Sequence, residues 1–285
     1  MLDMKDQIKI VKADSYINDV VIKNNISDEE IENNFSVFEQ AYESLSLCRR
    51  CPGIDNCPQK VKGEVYTVGY SDGPISVIRY CKFLKAKKQL DNLLNKYVYT
   101  DIPRTLLSVN LDNIECKSLA QELLFKIFDD TARGLRTKGV YLFGGYGVGK
   151  TYFVSALANT LVASGKKVVF VKCNSFATEM STLLVNDSIA YEKLVNKIRN
   201  ADYVIFDDIG TENVTAFSRD RLLYNILDYR MENRLCTIFT SNFDIDNLYE
   251  HFNQIPDENA GRICERIRAL ADEFVLKGEN LRHHD

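Results

Sequence analysis

The stretch Gly144-Gly145-Tyr146-Gly147-Val148-Gly149-Lys150-Thr151 constrains this chain more than any other. Its glycines cannot belong to a regular helix or strand, yet its flanks are strongly patterned. Gly139–Phe143 is a short apolar run of strand formers. From Tyr152 to Ser164, Phe153, Val154, Leu157, Ala158 and Leu161 recur at helical spacing, and Gly165 supplies a stop. Strand, glycine loop and helix in this order turn backbone N–H groups inward, at a helix end that carries partial positive charge. That is a cradle for phosphate oxygens, with G-x-x-x-x-G-K-[ST] spacing. The expected contacts are Gly144, Gly145, Gly147, Val148, Gly149, Lys150, Thr151 and Tyr152. Lys150 is expected at the β- and γ-phosphates of ATP and Thr151 on Mg²⁺. The competing reading, a chance glycine turn, leaves the patterned flanks unexplained.

A second stretch supports the first. Tyr203–Phe206 is an apolar run that ends in Asp207-Asp208. A strand delivering an acid to the same end of a sheet gives Mg²⁺ its second protein contact, Asp207, and places Asp208 to orient and deprotonate an attacking water. Aspartate is shorter than glutamate, so hydrolysis is expected to be slow. Lys167–Lys172 reads as a buried strand of a parallel sheet, followed by helical stretches near 175–185, 189–199 and 218–232. Cys236–Asn242 reads as another core strand. Asn242 at its end is either a simple cap or a contact to the γ-phosphate or its water. Arg262 and Arg266 stand four apart on one helical face. They form either a surface ion-pair ladder with Glu265 or a source of charge for a neighbour's γ-phosphate. Lys193, Lys197 and Arg199 read first as a solvated helix face. Cys116, Cys173, Cys236 and Cys264 read as structural.

The amino-terminal part is different in kind. Its first 47 residues are acidic, and Ser27-Asp28-Glu29-Glu30 predicts a helix start. Ile31, Phe35, Phe38, Tyr42 and Leu45 then recur at helical spacing, more consistent with core than with a partner groove. Cys48, Cys51, Cys57 and Cys81 follow with C-x2-C, x5, C, x23, C spacing. Four thiolates can close a tetrahedral Zn²⁺ site, which would supply much of the stability of so small a domain; the alternative has Cys81 in the core and the others on a loop. Residues 61–79 predict a β-hairpin around Ser71-Asp72-Gly73-Pro74. Residues 83–97 predict a helix whose Lys82, Lys85, Lys87 and Lys88 are solvated. Asp101-Ile102-Pro103-Arg104 breaks that helix, and the stretch through Asn113 reads as a linker. A helix over Leu119–Leu135 then leads into the nucleotide-binding region.

The bulk numbers exclude some classes. With 36 Lys and Arg against 40 Asp and Glu, the net charge is −4, so any nucleic-acid contact must be a local patch. No leader-like segment and no bilayer-length apolar run occurs, which predicts a cytoplasmic protein whose eight cysteines are thiols or metal ligands.

Taken together, Gly-Gly-x-Gly-x-Gly-Lys-Thr at 144–151, Phe-Asp-Asp-Ile-Gly-x-Glu at 206–212, Thr-Ser-Asn at 240–242 and Gly-Arg-x-x-Glu-Arg-Ile-Arg at 261–268 resemble the AAA+ ATPases. Within them the chain is similar to bacterial replicative-helicase loaders of the DnaI/DnaC type. The resemblance spans about residues 100 to 275. It is looser at the cysteine cluster, where spacing alone carries it and no histidine precedes position 251. The implied architecture is α/β: an AAA+ core with a parallel sheet, preceded by a small, mostly helical zinc-binding domain. The implied division is a helicase-interaction domain over 1–100, a linker over 101–116 and an ATPase and DNA-binding domain over 117–285. The 43 residues after Asn242 lead us to expect no full carboxy-terminal lid. The resemblance further implies loading of the hexameric replicative helicase with ATP and Mg²⁺. It also implies single-stranded DNA contacts through Lys193, Lys197 and Arg199, and self-association in which Arg262 or Arg266 reaches the next site. The competing functions are a transposase-associated ATPase of the same lineage and a non-hydrolysing, nucleotide-ordered helicase adaptor.

Overall fold

The structure, a computed structural model, describes residues 3–255 and 258–280. The chain forms two compact units, Met1–Asp91 and Asn92–Asp285.

The first unit begins with four helices: α1 (Met4–Lys12), α2 (Ser15–Lys23), α3 (Asp28–Asn33) and α4 (Phe35–Cys48). Asp3, Asp14 and Ser27 cap the first three by accepting backbone N–H bonds. The predicted continuous helix from Ile31 to Leu45 is broken at Asn34, whose amide folds back onto the Glu30 carbonyl at 2.9 Å. Ile8, Val11, Ile17, Val21, Ile31, Phe38 and Ala41 form the core, joined by Val68; the apolar stripe of α4 is therefore core. The hairpin β1 (Glu64–Tyr70) and β2 (Pro74–Tyr80) follows, pairing Glu64 with Tyr80 and Tyr70 with Pro74. Its turn uses Asp72 and Gly73, both with positive φ. Ser44 fastens β1 to α4 by accepting the Tyr66 N–H at 2.9 Å. Then comes α5 (Lys82–Leu94), whose four lysines are exposed.

The second unit is a six-stranded, wholly parallel sheet. Its strands are β3 (Tyr99–Thr100), β4 (Gly139–Phe143), β5 (Val168–Lys172), β6 (Tyr203–Asp207), β7 (Thr237–Ser241) and β8 (Ala271–Val275), in the spatial order β3-β5-β6-β7-β4-β8. The inner strands are near-continuous apolar runs because helices cover both faces. Those helices are α6 (Leu119–Ala132), α7 (Lys150–Ala163), α8 (Cys173–Asn186), α9 (Ser188–Arg199), α10 (Tyr224–Glu232), α11 (Ile245–Phe252) and α12 (Asn259–Leu270). A π-helical stretch, Phe217–Leu223, leads directly into α10. Cys173, Cys236 and Cys264 are buried in this unit.

Residues 101–113, part of the stretch over 101–116 read from the sequence as a linker, are built into this unit. The Asn159 amide on α7 donates to the carbonyls of Leu106 and Val109 at 2.9 and 2.6 Å. The Tyr97 hydroxyl donates to Asn159 Oδ1 at 2.7 Å, and the Leu111 N–H donates to Thr160 Oγ1 at 3.0 Å. This cover is why α7 is buried on nearly every side, Ser155 and Asn159 included, rather than along one stripe.

Candidate nucleotide-binding site

The loop between β4 and α7 lies at the carboxyl edge of the sheet. Gly147 and Gly149 have φ of 75° and 100°, which L-residues with a Cβ rarely adopt. Gly149 is the residue before the first turn of α7, so free N–H groups of the helix start face the loop. Lys150 is buried, and its ammonium donates to the carbonyls of Gly144 and Gly145 at 2.8 Å each and to Asn242 Oδ1 at 2.9 Å. Asn242 is thus a partner of Lys150, an arrangement its position at the end of β7 allows because β7 is the neighbour of β4.

Thr151 Oγ1 donates to the Asp207 carboxylate at 3.0 Å. Thr240 Oγ1 on β7 donates to the same carboxylate at 2.7 Å and accepts the Asp208 N–H at 2.8 Å. Asp207 is 2% exposed. Burial, and then the charge of Asp208, push its carboxyl up to about 6; the threonine hydroxyls act in the opposite direction. Asp208 has φ of 57°, which turns it out of the strand line. Gly210 continues the turn at φ 91°, and its N–H donates to buried Glu212 at 2.8 Å.

These groups surround a cavity of about 690 Å³. Gly147, Gly149, Lys150, Thr151 and Tyr152 line one side, and Asp208, Thr211 and Asn242 another. Sequence reasoning missed the remaining walls. Glu115, Lys117 and Gln121 belong to the segment leading into α6, and Lys172 ends β5 in register with Asp207. No motif marks these residues; only the fold brings them to the loop.

Arg262 and Arg266 on α12 have separate surroundings. Arg266 is tied down: its guanidinium donates to Asp228 at 2.6 Å and to the Tyr224 hydroxyl at 2.7 Å, and lies 4.2 Å from that ring's centre. Arg262 is exposed and, among the described residues, pairs locally with Glu258 at 3.0 Å. Glu265 pairs instead with Arg268. On α9, Lys193 and Lys197 are exposed, whereas Arg199 is half-buried against the Tyr229 ring.

The four amino-terminal cysteines are free and half-buried, and among the described residues no three Cys, His, Asp or Glu groups converge closely enough to hold a metal. The expected Cys48, Cys51, Cys57 and Cys81 zinc site is therefore not assembled here. The thiols serve as hydrogen-bond acceptors: Cys48 from Gln59 Nε2 at 3.3 Å, Cys57 from the Gly63 N–H at 3.4 Å and Cys81 from the Leu84 N–H at 3.4 Å. The unit also has its own apolar core, so its stability need not come chiefly from a metal.

A parallel sheet carrying a glycine loop with a buried lysine, opposite a buried acid held by two threonines, defines a P-loop ATP-binding protein with an AAA+-type core. Residues 123–285 match the family model described as IstB-like ATP binding protein, and the chain belongs to that family. The replicative helicase loader DnaI of Bacillus subtilis (strain 168) is 29% identical over 271 residues, covering 90% of this chain and 86% of its own. A crystal structure of DnaI superposes with a TM-score of 0.57 at 30% identity, over 64% of this chain and 98% of that one. A putative primosome component from Streptococcus pyogenes serotype M3 superposes with a TM-score of 0.53 at 29% identity, over 66% and 96%. No helix among the described residues is long and apolar enough to cross a membrane.

Proposed function

We propose that the protein is an ATP-dependent loader of the hexameric replicative DNA helicase, acting in primosome assembly. The observation that carries this reading is the extent of the likeness to DnaI. It runs through both units, whereas the match to the wider ATP-binding family lies in the second alone. A transposase-associated ATPase would need only the latter.

In this reading the second unit binds ATP. Gly147, Gly149 and the start of α7 receive the phosphates, and Lys150 exchanges its carbonyl partners for phosphate oxygens. The Thr151 hydroxyl and Asp207 carboxylate, now bonded to each other, form a hard-oxygen pair suited to Mg²⁺. The ion would neutralise phosphate charge and relieve the buried acid. Asp208 holds the attacking water, and its short side chain makes hydrolysis slow. Arg262, exposed and only locally paired, is the better placed of the two arginines to reach a neighbouring subunit's γ-phosphate; Arg266 holds α12 to α10. Lys193 and Lys197 contact single-stranded DNA as phosphate neutralisers, with Arg199 buttressing α9 from its place on Tyr229. The first unit, extended to about residue 100, grips the helicase. A zinc ion there is supported by cysteine spacing and by N–H donors aimed at Cys57 and Cys81, as thiolate ligands require; no step depends on it.

The test is co-elution of the full chain with the replicative helicase of the same cell, with and without ATP and after deletion of residues 1–100. Complex formation that requires 1–100 supports the loader reading. Intact nucleotide binding without a complex in any condition favours the transposition-type ATPase. A complex with no phosphate release, even with single-stranded DNA present, favours the non-hydrolysing adaptor.

A further inference from the structure

The segment after β8 lies along the phosphate loop. The Leu276 N–H donates to the Phe143 carbonyl at 2.8 Å, extending the β4–β8 pairing to the first residue before the loop. The Leu276 carbonyl occupies the place where a Cβ on Gly144 would stand. Gly278 comes next, with its own Cβ position 3.9 Å from the Val148 side chain. Asn280 completes the run: its side-chain oxygen would overlap a Cβ on Gly147, and its Cα lies 3.3 Å from the same point. Alternate residues 276, 278 and 280 thus touch the loop at Gly144, Val148 and Gly147. Gly147 needs to be glycine on two counts, its positive φ and the approach of Asn280. It also lines the cavity, so Asn280 stands against a residue of the proposed phosphate site.

We propose that Asn280 is a positioning residue for the nucleotide, bracing Gly147 so that the loop keeps its N–H groups turned toward the phosphates. The inference rests on the reading of this loop as the ATP site.

Asn280→Asp and Asn280→Ala in the full chain test this, with fluorescent ATP and ADP analogues titrated at two salt concentrations. Aspartate keeps the size and the acceptor oxygen but places a negative charge beside bound phosphate. It should weaken ATP by about tenfold, ADP by less, with part of the loss recovered at high salt. Alanine should weaken both by a few fold, independent of salt. Asn280 is half-buried, so melting of the nucleotide-free variants is measured alongside, and only the loss of affinity beyond any loss of fold counts as positioning. ATP should also slow amide exchange at residues 276–280 of the unaltered chain. If the parent binds nucleotide and Asn280→Asp binds it equally well at low salt, the inference is overturned. If the parent does not bind nucleotide at all, the reading of the loop falls, and this inference with it.

Discussion

Asp207 is a charge stored at a cost. Its carboxyl is raised from 3.8 to about 6, first by burial and then by Asp208. At 1.36 kcal/mol per pH unit, holding it ionised at neutral pH costs the folded chain about 3 kcal/mol. Asp207→Asn removes the charge and keeps an oxygen that can accept the Thr151 and Thr240 hydroxyls. Allowing for imperfect amide bonding, the variant without nucleotide should gain about 2 kcal/mol, or roughly 4–8 °C in melting temperature for a unit of this size. The sign follows from proton binding. Between the unfolded value near 3.8 and the folded value near 6, the native state holds more protons, so the parent loses stability as pH rises through that window. The gain from Asn is therefore full above about pH 6 and disappears below about pH 4. Saturating Mg·ATP should stabilise the parent by about 2.7 kcal/mol at one hundred times its Kd and the variant by less, because its Mg²⁺ contact is weakened while Lys150 and the loop still receive phosphate. Scanning fluorimetry from pH 4 to 8, with and without Mg·ATP, measures all of this. An Asp207→Asn variant that melts below the parent at pH 7, or a gap that does not close in acid, would show that the buried charge of Asp207 is not what costs the fold.

Further outcomes follow from the same geometry. Arg230 is fully buried and donates to the carbonyls of Ile198, Arg199, Ala201 and Cys236 and to Thr237; Arg230→Met should cost about 3–5 kcal/mol in chemical denaturation by leaving them unpaired. Arg266→Ala should lower the melting temperature because it releases Asp228 and Tyr224, whereas Arg262→Ala should melt like the parent and lose ATP turnover only in the assembled state. Lys193→Ala with Lys197→Ala should reduce the salt dependence of single-stranded DNA binding by a slope of about one to two, read by anisotropy at several salt concentrations. If a zinc ion gathers the four cysteines, as proposed from their spacing, metal analysis of protein purified without chelator should find about one zinc per chain, released by thiol modification; four freely reactive thiols and no zinc would agree with the separate cysteines seen here.

The parts legible in the sequence are those whose cause is local. The loop at 144–151, the strands ending at Asp207 and Asn242 and the hairpin turn at Asp72-Gly73 each carry their own composition and spacing. Residues 101–113 were not legible as part of the second unit, because what fixes them is Asn159, some fifty residues away, offering an amide to the Leu106 and Val109 carbonyls. Arg230 falls within the helix predicted near 218–232 but nothing in its spacing marks it, and only the packing of α9 and β7 around it surrounds it with carbonyls. The pairing of Lys150 with Asn242 depends on β7 lying beside β4, a property of strand order and not of either motif. The helix break at Asn34 turns on one side-chain amide competing with the backbone, a small local contest that apolar periodicity does not register.

In the proposed function, ATP bound at this loop drives placement of a helicase ring on DNA. This is tested most directly by loading onto a closed single-stranded circle, which has no end to thread. The purified helicase of the same cell is incubated with the circle, with and without this protein and ATP, and the DNA-bound helicase is separated by gel filtration. Helicase should co-elute with the circle only when both protein and ATP are present, and Lys150→Ala should abolish the effect. Equal retention of helicase without this protein, or with Lys150→Ala in its place, would mean that ATP at this loop does not place the ring.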